Sequence, residues 1–133
     1  MKKIEHIGIA VHDIEEAKKR YEMLLGTPAY KEEIVESEHV VTAFFRCGPN
    51  KIELLAATSE ESAIHKYLQK NREGIHHIAY AVEDIEFEMA RLKKDGFRLL
   101  NEKPKKGADN KLICFVHPKD NNGVLTELTS EIK

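Results

Sequence analysis

The chain has 133 residues, of which 41% are hydrophobic and 33% are charged, so it carries enough apolar side chains for a folded core and is not predicted to be disordered. Its 21 basic and 23 acidic residues give a formal net charge of −2, which provides no basic footprint for nucleic acid or for an acidic membrane surface. The apolar stretches are far shorter than the roughly 20 residues of a membrane span, and Met1–Lys3 is not followed by the apolar segment of a signal peptide.

The first part of the chain predicts one strand, one helix and three further strands. An alternating, β-branched run begins at Ile4, and Asp13 stands where a helix N-cap is expected. The predicted helix covers Ile14 to Leu25, buries Ala17, Tyr21, Leu24 and Leu25, and ends at Gly26. The strands that follow are Tyr30–Val35, Val40–Arg46 and Lys51–Ala57.

The second part of the chain repeats this order after a helical linker at about 58–73. Ile4 to Glu15 aligns with Ile75 to Glu86 at an offset of 71, and 8 of the 12 aligned residues are identical. Asp84 caps a predicted helix from Ile85 to Asp95, and the predicted strands are Phe97–Asn101, Leu112–His117 and Gly123–Thr129. We therefore predict a single α+β domain, residues 1–133, of two βαβββ modules (about 1–57 and 74–130) with a cleft between mixed sheets.

The repeat places the same two chemical groups in both modules. Strand alternation puts His6 on one face with Gly8 and Ala10, and puts His77 on one face with Ala79 and Ala81. Glu53 and Glu127 each stand within an apolar final strand, where a carboxylate is costly unless it is paired or bound to a cation. A single buried histidine is usually a hydrogen-bonded core residue, but the repetition favours a four-ligand site for a divalent transition metal.

The remaining histidines are interpreted differently. We expect His12, His39 and His65 to be solvated surface residues. The pattern leaves His76 and His117 undecided, and His117 opens the segment that leads to Glu127.

These motifs resemble the vicinal oxygen chelate superfamily, and within it the methylmalonyl-CoA epimerase family. The resemblance covers nearly the whole chain, and its most specific segment runs from His117-Pro118-Lys119-Asp120 into Gly123 to Leu128. It implies tandem βαβββ modules around a metal-lined cleft. It also implies one divalent metal ion, Co²⁺ first and Zn²⁺, Mn²⁺ or Ni²⁺ as alternatives, held by His6, Glu53, His77 and Glu127.

The implied reaction interconverts the (2R) and (2S) forms of methylmalonyl-CoA through an enediolate, on the route between propionyl-CoA and succinyl-CoA. Glu127 and Glu53 are the expected catalytic carboxylates. Some relatives have Gln as the second ligand and a glutamate on the preceding strand as a base, and that position aligns with Thr42 here. An acyl-CoA is the expected partner, without nucleic acid or membrane, and the chain is expected to form a homodimer.

Cys47 and Cys114 have no disulfide or zinc-knuckle spacing, which favours reduced thiols and a cytoplasmic location.

Three other functions fit the same fold. A glyoxalase I-type lactoylglutathione lyase would use the same ligands, but the C-terminal motif argues against it. An extradiol-type dioxygenase would use two histidines and one carboxylate, so a fourth ligand argues against it. A non-catalytic small-molecule-binding module would not require the four ligands.

Overall fold

The computed structural model describes residues 1–132, and the chain folds into two compact units. The unit here called the central unit is Ile7–His76, and the split unit combines Met1–His6 with His77–Lys133. Two strands contribute residues to both units, β1 (Lys3–Ala10) and β5 (Gly74–Ala81). The division falls next to the two repeated histidines, directly after His6 and directly before His77, so both belong to the split unit.

The central unit contains two helices and an antiparallel set of strands. The elements are α1 (Ile14–Leu25), β2 (Lys31–Val35), a 3-10 helix (Glu36–Glu38), β3 (Val40–Cys47), β4 (Asn50–Ala57) and α2 (Ala63–Lys70). The strand order is β2-β3-β4-β1, with β2 and β4 both antiparallel to β3. Phe45 and Leu54 are fully buried at the centre of its core, against which α1 packs.

The split unit contains one helix, which packs over the remaining strands. The elements are α3 (Ile85–Lys94), β6 (Lys105–Lys106), β7 (Lys111–Val116), a 3-10 helix (Pro118–Asn121) and β8 (Thr126–Glu131). The order is β1-β5-β8-β7-β6, in which β5 and β8 are parallel and β7 is antiparallel to β8. Its core includes Met89 and Leu92 of α3, as the sequence predicts, with the fully buried Leu128 of β8.

The helix boundaries follow from capping residues that the sequence identifies. Asp13 accepts a hydrogen bond from the Glu16 N–H at 3.1 Å, and Asp84 accepts one from the Phe87 N–H at 3.1 Å, which satisfies an otherwise orphan donor at each helix start. Gly26 has φ of 71°, the left-handed conformation that ends α1 and that glycine adopts without steric cost. Both helices therefore begin at the predicted residue.

Three sequence predictions were wrong in detail. The predicted strand Phe97–Asn101 forms only an isolated bridge between Leu99 and Val116, because the side chain of Asn101 takes the Phe115 N–H that a regular ladder would use. The last strand begins at Thr126 rather than Gly123, because Gly123 and Val124 are still bonded back to Pro118 and Asn121 in a turn. Leu24 is 71% exposed, since it lies at the edge of the apolar stripe of α1.

None of the helices within residues 1–132 is both long enough and apolar enough to cross a lipid bilayer.

Candidate metal centre

Two antiparallel strands bring the repeated histidines together within the split unit. The Lys2 N–H donates to the Ala81 carbonyl at 2.8 Å, and the His6 and His77 side chains meet nearby with Nε2 atoms 3.0 Å apart. Both contacts fit an antiparallel pairing of β1 with β5. The two rings are perpendicular, with centroids 5.2 Å apart, and both side chains are buried. The two histidines that the repeat aligns at an offset of 71, His6 and His77, are therefore in direct contact.

The parallel pairing of β5 with β8 adds a carboxylate on the same face. Glu127 lies opposite Ala79, which shares its face with His77, and opposite Phe115 of β7. The Phe115 ring packs against the edge of the His77 ring at a centroid distance of 5.8 Å. Glu127 is only 5% exposed. A buried carboxylate at this position is thus next to two imidazole nitrogens rather than within an apolar core.

The distances between these donor atoms suit a single metal ion. Glu127 Oε1 lies 3.3 Å from His77 Nε2, and Glu127 Oε2 lies 3.8 Å from His6 Nε2. Ligand atoms about 2.1 Å from a common ion lie about 3.0 Å apart at a right angle and about 3.4 Å apart at the tetrahedral angle. The three residues offer ligand atoms that all lie within 4.8 Å of one another. Two imidazoles and a carboxylate form a donor set typical of divalent transition metals.

A second carboxylate contacts the outer nitrogen of one histidine. Glu5 Oε1 lies 2.7 Å from His6 Nδ1, and both side chains are buried. Glu5 was not among the predicted site residues, because strand alternation places it on the opposite face from His6. The available signal was that an acidic residue directly precedes a predicted ligand.

The structure places the fourth predicted ligand, Glu53, in the central unit. It lies on β4 opposite Phe44 and is 5% exposed. Its role as a metal ligand and as a proton carrier stays a prediction. Thr42, which the resemblance pairs with a glutamate of some relatives, is buried on β3, and its hydroxyl donates to the Glu33 carbonyl at 3.2 Å.

Two of the other histidines have structural contacts within their own units. His39 Nε2 lies 3.1 Å from Glu61 Oε2, and the His39 side chain is partly exposed. His117 caps the second 3-10 helix, where Nδ1 accepts a hydrogen bond from the Lys119 N–H.

The neighbouring Asp120 accepts hydrogen bonds from the Arg98 guanidinium at 2.9 and 3.0 Å and from the Arg98 N–H at 2.8 Å. These bonds lower the pKa of Asp120 to about 2.

Comparison with known proteins identifies the class. The family model of the Glyoxalase/Bleomycin resistance protein/Dioxygenase superfamily matches residues 5–115. The chain belongs to this superfamily, which confirms the predicted α+β vicinal oxygen chelate fold.

Relatives within that class include several methylmalonyl-CoA epimerases. The ethylmalonyl-CoA/methylmalonyl-CoA epimerase of Cereibacter sphaeroides is 46% identical over 129 residues, or 95% of this chain and 96% of the relative. The human mitochondrial methylmalonyl-CoA epimerase is 39% identical over 127 residues, or 95% of this chain and 72% of the relative. A variant of the Streptomyces coelicolor methylmalonyl-CoA epimerase in complex with 2-nitronate-propionyl-CoA has a TM-score of 0.95 at 36% identity, covering 100% of this chain and 99% of that one.

Proposed function

We propose that the protein is a metal-dependent epimerase that inverts carbon 2 of methylmalonyl-CoA. The observation that carries the proposal is the buried group of His6, His77 and Glu127, which offers two imidazole nitrogens and a carboxylate within reach of one ion. Whole-chain similarity to proteins named methylmalonyl-CoA epimerase supports the choice of substrate. The C-terminal segment from His117 to Leu128 supports the same choice over a glyoxalase I-type reaction.

The reaction requires one group to remove a proton and another to return one. Breaking the C2–H bond transfers the proton to a carboxylate and leaves its electron pair delocalised onto the thioester oxygen as an enediolate. Reprotonation on the opposite face completes the inversion. Glu127 and Glu53 are the proposed proton carriers, and each carboxylate has two oxygens, so that one can ligate while the other holds a proton.

The proposed metal site is His6, Glu53, His77 and Glu127. A divalent ion held there would act as a Lewis acid that offsets the negative charge developing on the substrate oxygens. Two imidazoles with carboxylates suit Co²⁺, which is the proposed ion, and also Zn²⁺, Mn²⁺ or Ni²⁺. The burial of all four side chains strengthens their electrostatic interaction with a bound ion.

The proposal includes a cytoplasmic homodimer. Both cysteines are free thiols, and Cys47 is exposed, which suits a reducing compartment. Several large apolar side chains are exposed, among them Met23 and Ile34 of the central unit, as is common at subunit contacts. Light scattering of the purified protein should give a mass close to 30 kDa, twice the 15.2 kDa of one chain.

Proton NMR of methylmalonyl-CoA in deuterated water tests the reaction. Protein is stripped of metal and then loaded with one divalent ion at a time. The loaded protein should exchange the C2 hydrogen with solvent and convert one C2 epimer to a mixture of both, and a chelator should stop both processes.

A matched pair of variants ties the reaction to the site. His77→Ala should lose the exchange, whereas His39→Ala, which changes a partly exposed histidine, should keep it. Conversion of a glutathione hemithioacetal without C2 exchange of methylmalonyl-CoA would move the assignment to a glyoxalase. Tight acyl-CoA binding without either reaction would move it to a binding module.

A further inference from the structure

We propose that Glu5 is a positioning residue that fixes the tautomer and orientation of His6 for metal binding. The inference rests on the metal-dependent function proposed above and assigns a role to a residue outside the four proposed ligands. Its starting point is the 2.7 Å contact between Glu5 Oε1 and His6 Nδ1.

Burial makes the contact energetically significant. Glu5 is 7% exposed and His6 is 6% exposed, so little water is available to solvate either group. An ionised carboxylate is expensive to bury unless it is hydrogen-bonded, and its bonds are stronger there than at a surface. The short distance is typical of a charge-assisted bond and not of an incidental approach.

The contact determines which nitrogen of His6 is available to a metal. An ionised Glu5 carboxylate only accepts hydrogen bonds, and with Glu5 in that form the 2.7 Å contact places the ring proton of His6 on Nδ1. In the neutral ring Nε2 then has a free lone pair. This is the atom that lies 3.0 Å from His77 Nε2 and 3.8 Å from Glu127 Oε2. Glu5 thereby holds His6 in the one tautomer whose lone pair faces the other ligands.

The second module has no acidic residue at the position equivalent to Glu5. The residue aligned with Glu5 is His76, so only His6 of the two repeated histidines is directly preceded by a carboxylate. The Phe115 ring packs against the edge of the His77 ring. In the first module, the carboxylate contact at Nδ1 orients the imidazole of His6. A carboxylate hydrogen-bonded to a ligating imidazole typically changes metal affinity by about 10- to 100-fold.

The test measures metal affinity without substrate. Wild-type protein and the variants Glu5→Ala, Glu5→Gln and Glu83→Gln are titrated with Co²⁺ and Zn²⁺ against a chelator of known affinity. Glu83→Gln is the matched control, because that glutamate has a side chain that is 76% exposed. Glu5→Ala should weaken binding by about 10- to 100-fold, and Glu5→Gln should weaken it less, since its amide oxygen still accepts the Nδ1 proton. The control should bind as wild type does.

A double-mutant comparison separates positioning from general destabilisation. Glu5→Ala should lose its effect on metal affinity when His6 is already alanine, and should keep it when His77 is alanine. Equal weakening in both backgrounds would indicate a structural role and overturn the inference. The visible absorption of bound Co²⁺ should also change in Glu5→Ala at full loading. Circular dichroism shows which variants are folded, and the near-isosteric Glu5→Gln supports the measurement if the alanine variant does not fold.

Three further results would overturn the inference. One is affinity in Glu5→Ala within twofold of wild type. Another is a metal-loaded crystal structure with a Glu5 oxygen coordinated to the ion. The third is wild-type protein that binds no divalent metal, which would overturn the metal-dependent function as well. Normal metal binding and epimerisation in wild type, with Glu5 variants indistinguishable from it, would remove only the role of Glu5.

Discussion

Replacing the buried hydroxyl of Thr129 should stabilise the fold, whereas most substitutions at buried positions destabilise it. Thr129 lies on β8 between Ala81 of β5 and Ile113 of β7 and is 1% exposed. Within the described part of the chain, residues 1–132, its Oγ1 is buried without a hydrogen-bond partner. A buried polar group left unpaired costs about 1–3 kcal/mol. Thr129→Val, which replaces the hydroxyl with a methyl group of similar size, should therefore increase the free energy of unfolding by about 1 kcal/mol.

Thr126 provides the matched control on the same strand. It is also buried, but its hydroxyl accepts a hydrogen bond from the Asn121 amide and donates one to the Val124 carbonyl at 3.1 Å. Thr126→Val should decrease the free energy of unfolding by about 1–2 kcal/mol, because it leaves both partners unsatisfied. The same chemical change thus has opposite effects three residues apart.

Calorimetry and denaturant titration of metal-free protein measure both effects. For a chain of this length, 1 kcal/mol corresponds to about 3–4 °C in Tm. We expect Thr129→Val to melt above wild type and Thr126→Val to melt below it. A Thr129→Val protein that is less stable than wild type by 0.5 kcal/mol or more would show that the hydroxyl has a partner, and the argument from its burial would be wrong.

The other predictions concern the site, the core and acid stability. Glu53→Gln should retain the metal, since an amide oxygen can still ligate, but should slow epimerisation by about 10²-fold or more in the NMR assay; near wild-type turnover at full metal occupancy would leave Glu53 as a ligand only. Leu128→Ala should lower the free energy of unfolding by about 3 kcal/mol, measured by urea titration, because this side chain is fully buried in the split unit; a loss under 1 kcal/mol would contradict that packing. Because the pKa of Asp120 is lowered to about 2 in the folded protein, its pairing with Arg98 stabilises the fold above about pH 4 and ceases to do so as the pH falls through 2. The Tm difference between wild type and Asp120→Asn should accordingly be present at pH 6 and shrink toward pH 2, and a difference that grows on acidification would refute this assignment.

The sequence predicted the parts of the fold that local chemistry determines. Asp13 and Asp84 mark helix starts because a short acidic side chain at an N-cap satisfies a backbone donor that has no other partner. The repeat assigned His6 and His77 to equivalent positions of two strands, and their rings are in contact in the structure. The strand expected at Phe97–Asn101 failed for a different reason. An extended segment joins a sheet only if its backbone carbonyls accept hydrogen bonds from the N–H groups of the adjacent strand. Here the Phe115 N–H of β7 donates to the side chain of Asn101 instead.

The role of Glu5 was not accessible to the sequence argument. Alternation along a strand assigns a face to each Cα–Cβ bond, but a glutamate side chain is long enough for its carboxylate to reach the ring of the adjacent histidine. Strand alternation therefore assigned opposite faces of β1 to two residues whose functional groups are in contact.

The split unit is built from two separate parts of the chain, so its site cannot form until the second part has been synthesised. The central unit is one continuous segment that is complete once His76 has been made, whereas the split unit needs both the first six residues and the segment from His77 onward. Glu127 follows His76 by about 3–10 s at ordinary rates of translation. Throughout that interval His6 is already synthesised but lacks the carboxylate partner of the metal group. The proposed metal group is therefore complete only after Glu127 has been made, late in the synthesis of the chain.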